Sequence, residues 1–248
     1  MLVAAAVCPC PPLLVPEVAA GAASELDTAR AACSDALAVL AAARPDRLVV
    51  VAPTEEAGAG VHAAGTWGSF RGFGVDLAVR LGRGGADTHG ADVPGAAAAA
   101  GRELPPSLSV AAWLLERTRW ADAPLEGLGV TQALTAEACA ETGREIGARA
   151  ERVALLVMGD ASACRTLKAP GYLDERAAPF DAAVARALGT ADLAALTALD
   201  IGLAHELKVS GRAPWQVLAG AAENAALTGT LLYEDAPYGV GYVVAAWS

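Results

Sequence analysis

Three uninterrupted apolar runs constrain the fold of this chain most: LVAAAV at 2–7, LVVVA at 48–52 and VALLVM at 153–158. Each is short and flanked by turn formers, which is how strands covered on both faces of a parallel sheet read. A strand with one wet face would alternate instead. Between the first two runs, Leu26, Ala29, Cys33, Leu37 and Leu40 recur at helical spacing. Ser24 and Asp27 read as a capping pair at the start of that helix, and Pro45 closes it. Strand, proline loop, helix and strand in this order predict an α/β fold.

The rest of the chain extends the pattern. Phe73, Val75, Leu77, Val79 and Leu81 alternate strictly, predicting a strand over 73–81 near an edge of the sheet. Gly82 to Gly101 reads as a Gly/Ala/Asp loop. Helices are expected at 107–119, at 135–150, from Pro179, over 190–208 in two pieces, and at 214–227 behind Pro214. The closing GTLLYEDAPYGVGYVVAAW predicts two strands joined by a turn at Asp235–Gly239. No repeat or linker interrupts the series. The expectation is one α/β domain spanning 1–248, with a central mixed, mostly parallel sheet flanked by helices.

Composition narrows the functional classes. A hydrophobic content of 54% with 19% charge demands a packed interior. The net charge is −10 and no run of Lys or Arg appears, which argues against direct binding of nucleic acid. Every apolar stretch is broken well short of the roughly 20 residues of a membrane span. No Lys or Arg precedes Arg30, so the first residues lack the basic segment of a secretory leader. A cytoplasmic location is the expectation. Five cysteines, an odd number, fit reduced thiols better than a disulfide framework.

Sites in open α/β sheets form where strands end at their carboxyl side. Three predicted strand exits carry polar or soft residues: Cys8-Pro9-Cys10, Thr54-Glu55-Glu56 and the GDASAC loop at 159–164. Asp160, Ser162 and Cys164 are the candidate catalytic residues of the last loop, with His205 a candidate base for a Ser or Cys nucleophile. Cys10 and Glu55, joined by Cys164 or Asp160, are the candidate metal ligands. Beyond the loop, Arg165 and Lys168 suit an anionic ligand, with Tyr172 stacking on it.

The opening CPCPPLLVPEV resembles that of the class III extradiol ring-cleavage dioxygenase superfamily, subunit-B type, including its Memo branch. LPPSLSVAAWLLE, VMGDASACR and PWQVLAGAAENAAL carry the likeness further along the chain, in the manner of alanine-rich actinobacterial subunit-B-like proteins. The resemblance implies a pocket at the carboxyl edge of the sheet that holds non-haem Fe(II) on two histidines and a glutamate. It also implies opening of a catechol ring with O2, a further histidine serving as acid and base.

Position by position, this chain departs from that set. Cys10 stands where the first ligand would be, and Thr54 at the second, beside Glu55 and Glu56. The glutamate position, set by Trp215, falls on Gly211, and Glu206 would need a slip in register. GDASACR contains no histidine; the only histidines are His62, His89 and His205. Three readings therefore stand. One is a divergent metalloenzyme holding iron, zinc or another metal through Cys10 with Glu55 or Cys164. Another is a non-catalytic protein that binds a small molecule in the inherited pocket or assembles as a homo-oligomer. The last is a metal-independent hydrolase or transferase using Ser162 or Cys164.

Overall fold

The computed structural model describes residues 1–82 and 102–248. The strands are β1 (Leu2–Cys8), β2 (Arg47–Thr54), β3 (Gly60–Ala63), β4 (Trp67–Ser69), β5 (Ala78–Arg80), β6 (Leu125–Thr131), β7 (Val153–Met158), β8 (Gly229–Asp235) and β9 (Tyr242–Trp247). The helices are α1 (Pro16–Ala19), α2 (Asp27–Ala42), α3 (Pro106–Arg117), α4 (Ala136–Gly147), α5 (Ala177–Thr190), α6 (Leu193–Thr197), α7 (Ile201–Glu206) and α8 (Arg212–Ala222). Seven strands form the main sheet in the order β3-β6-β2-β7-β1-β9-β8. Its centre, β6-β2-β7-β1, is parallel, and the three outer strands pair antiparallel. The fold is α/β with a mixed, mostly parallel sheet, as the apolar runs require.

The three runs form β1, β2 and β7, and their side chains divide between two cores. Ala4, Ala6 and Cys8, Leu48 and Val50, and Ala154 and Leu156 face α2 and α3. Val7, Val49 and Val51, and Leu155 and Val157 face α5 and α8. Burial on both faces explains why no polar residue interrupts them. The described residues contain no helix long and apolar enough to cross a membrane.

Several local expectations change. Of 73–81, only Ala78–Arg80 is a strand, and it pairs with β4 in a separate two-stranded ribbon. Phe73 instead ends a 3-10 turn that closes on left-handed Gly74. The Ser24–Asp27 capping pair does not form: 20–26 is a 3-10 segment, and α2 begins at Asp27 without a side-chain cap. Pro179 lies inside the first turn of α5, two residues after its start. Pro214 likewise sits within the first turn of α8, which ends at Ala222 rather than near 227. The loop expected over 82–101 lies, apart from Gly82, outside the described residues, as does His89.

Candidate active-site cleft

Four adjacent parallel strands end at one cleft, and each delivers a polar side chain there. Cys10 follows β1, Thr54 ends β2, Gln132 follows β6 and Asp160 follows β7. The cleft has a volume of about 620 Å³. Pro53, Pro105 and Pro106 give it flat apolar walls, and Glu55, Arg102 and Glu103 also line it. Cys10, Thr54, Glu55 and Asp160 therefore line one cleft, and Cys164 does not.

Asp160 is fixed through its backbone. Its amide donates to Ser210 Oγ at 2.8 Å, and its carbonyl accepts from the Ser210 and Gly211 amides at 3.1 and 2.9 Å. The Cys10 amide donates to Asp160 Oδ1 at 2.8 Å. That single donor only partly offsets the cost of burying the carboxylate, so burial raises its pKa to about 7. Asp160 can thus take or give a proton near neutral pH. The Cys10 thiol lies 4.0 Å from Asp160 Oδ2. Burial first, and then the charge of Asp160, push that thiol well above its ordinary range, against a weaker opposing hydrogen bond to Ser210. Cys10 is accordingly a protonated, weakly nucleophilic wall residue.

Gln132 and Ser210 complete the cleft and were not singled out from the sequence. Gln132 Nε2 donates to the Ser210 carbonyl at 2.5 Å, joining the exit of β6 to the α7–α8 turn. Buried Arg212 anchors the same loop by donating to the Leu134 carbonyl at 2.7 Å and to the Gln132 carbonyl.

The remaining candidates lie elsewhere. Ser162 is fully buried and donates to Asp181 Oδ2 at 2.8 Å, while Arg165 pairs with the same oxygen at 3.0 Å. Cys164 is buried too, and its thiol lies 3.5 Å from the Leu207 carbonyl. Neither reaches the cleft, so the nucleophile reading loses its access to substrate, and Cys164 cannot join Cys10 in a metal site. Arg165 and Lys168 share a separate groove with Tyr238. Tyr172 is exposed and does not line that groove.

The residues of the cleft do not suit an iron centre of two histidines and a carboxylate. His62 is buried on β3, its Nε2 2.9 Å from the Gly58 carbonyl and 3.2 Å from Arg102, and it does not line the cleft. Burial, more than the nearby Arg102, lowers its pKa. His205 lies on α7, beside a neighbouring cavity. Gly211 brings no donor and has no room for one. A Cβ there would come within 2.1 Å of the Trp215 ring, and one on Gly159 within 2.3 Å of the Gly211 Cα. Among the described residues, no three His, Cys, Asp or Glu side chains gather as metal ligands would.

No family model matches this chain, and no curated protein matches it. Among solved structures, it is similar to the crystal structure of uncharacterized protein JW3007 from Escherichia coli K12, with 18% identity over 99% of each chain and a TM-score of 0.53. At that identity the likeness concerns the fold alone.

Proposed function

We propose that this chain is a divergent relative of the class III extradiol dioxygenase superfamily whose cleft binds a small planar molecule without the family's iron. Asp160, rather than a metal, is the reactive group of that cleft, exchanging a proton with the bound molecule. The supporting observation is the meeting of Cys10, Thr54, Gln132 and Asp160 at the ends of four adjacent strands. The volume lies within the range of small-molecule sites, and proline walls suit a flat ring. The family relationship itself rests on the resemblance of CPCPPLLVPEV and the segments that follow it.

Titration of catechol into isotope-labelled protein, without metal, tests this reading. Saturable shifts of the Cys10, Thr54, Gln132 and Asp160 amides are expected. Shifts confined to other regions, or none, would contradict it.

A further inference from the structure

A groove of about 720 Å³ lies between the 165–173 loop and the turn that joins β8 to β9, and it shares no lining residue with the cleft. Leu167, Leu173 and Pro237 make it apolar, Arg165 and Lys168 add positive charge, and no carboxylate among the described residues lines it. Leu167 is 62% and Leu173 46% exposed, yet the loop that carries them is fixed. The Arg165 amide donates to the Gly239 carbonyl at 3.0 Å, that of Gly171 to Ala163 at 2.8 Å and that of Asp174 to Cys164 at 3.0 Å. Large apolar side chains held outward on a hydrogen-bonded loop mark a surface for a protein partner.

The strand β8 presents the complementary surface. It is an outer strand of the sheet and, among the described residues, pairs with β9 alone. Leu231 and Leu232 are 40% and 37% exposed, and exposed Glu234 and Asp235 follow them. Leu231 and Glu234 lie opposite Ala245 and Val243, which belong to the core under α5, the helix into which the 165–173 loop leads. Only Ala236 separates Asp235 from Pro237 of the groove, so the two surfaces adjoin. Arg165 is engaged by Asp181 at 3.0 Å, whereas neither Lys168 nor Glu234 forms an ion pair among the described residues.

We infer that this face binds a second copy of the chain, the groove of each copy receiving the Leu231–Asp235 edge of the other about a two-fold axis. Charge decides the arrangement. Groove against groove would bring Lys168 to Lys168, whereas groove against β8 brings Lys168 to Glu234 and Asp235 in both copies at once. On a chain of net charge −10, a basic apolar groove beside an acidic apolar strip is complementary to itself. A two-fold contact of this kind uses both surfaces of both copies and closes at a dimer. The leucines supply the affinity and the charges fix the register.

Sedimentation velocity of the full chain over a concentration series tests it, with circular dichroism as the check on folding. The wild type should pass from monomer to dimer and no further. Lys168→Glu and Glu234→Lys, both at exposed positions, should leave the fold intact and each weaken the dimer by about tenfold. The double variant, Lys168→Glu with Glu234→Lys in one chain, reverses both partners of the pair and should recover the affinity of the wild type. Leu167→Asp, also exposed, should give a folded monomer. A wild type that stays monomeric, one that grows beyond a dimer, or a dimer that the single charge reversals do not weaken would overturn the proposal. So would a double variant that associates no better than the single ones, because a general charge effect would not be undone by pairing the two reversals.

Discussion

The Cys10 amide donates to Oδ1 of Asp160 at 2.8 Å, tying together the exits of β1 and β7. This bond lowers the carboxyl's pKa, but burial outweighs it and still raises the value to about 7. The pH behaviour of the protein follows from it.

Because Asp160 binds its proton more tightly in the folded state than the ordinary value of 3.8, stability falls as pH rises from about 4 to about 7. Below that window the group is protonated in both states, and above it ionised in both, so the loss is complete by about pH 7. Asp160→Asn removes this titration. Chemical denaturation from pH 4 to 8 should show the wild type losing stability relative to the variant across the window, by up to a few kcal/mol. A pH-independent difference would refute the assignment.

Cys10 should resist alkylation. Its thiol is buried and held protonated, so iodoacetamide at pH 7 should modify it far more slowly than a free thiol, and unfolding should release the reactivity of all five cysteines. Fast labelling of Cys10 in the native protein would show that the thiolate forms after all.

Asp181 is 1% exposed and accepts from the Ser162 amide and hydroxyl and from Arg165. Asp181→Ala leaves those donors unpaired and should destabilise the fold by about 3–5 kcal/mol. It should not alter catechol binding per folded molecule, because Ser162 and Asp181 lie outside the cleft. A thermal melt and a binding isotherm separate the two effects.

Placing a carboxylate at Gly211 should fail for packing reasons. Gly211→Glu forces its Cβ against Trp215, which is fully buried. Gly211→Ala alone should cost about 1–3 kcal/mol through overpacking. Wild-type stability in Gly211→Ala would mean that the Trp215 contact is more yielding than the structure indicates.

The parts of the fold that could be read from the sequence are those where burial on both faces left an unbroken signal, as in β1, β2 and β7. The strand β6 escaped because its sequence, LEGLGVT, looks like a turn. Packing explains its glycines: a Cβ at Gly129 would lie 2.3 Å from the Gly58 carbonyl, and one at Gly127 2.9 Å from Leu81. Glu126 lies in the same strand because Arg149 meets it at 2.6 Å. With β6 unseen, Gln132 at its exit had no reason to stand out. Ser210 carries no motif and joins the site through hydrogen bonds to Asp160 and Gln132. Conversely, alternation at 73–81 mimicked a sheet strand, whereas Phe73 ends the turn that connects β4 to β5 and only Ala78–Arg80 is a strand. Cys10, Thr54, Glu55 and Asp160 were legible because strand exits in such a sheet share one edge. Ser162 and Cys164 follow the same exit but turn back into the core.

The decisive measurement is anaerobic reconstitution with Fe(II), followed by removal of loose metal, iron analysis, and addition of catechol or protocatechuate in air. The geometry at Cys10, Asp160 and Gly211 predicts substoichiometric iron and no yellow ring-opened product, with catechol affinity unchanged by the treatment. One tightly held iron per chain together with ring-cleavage turnover would contradict it.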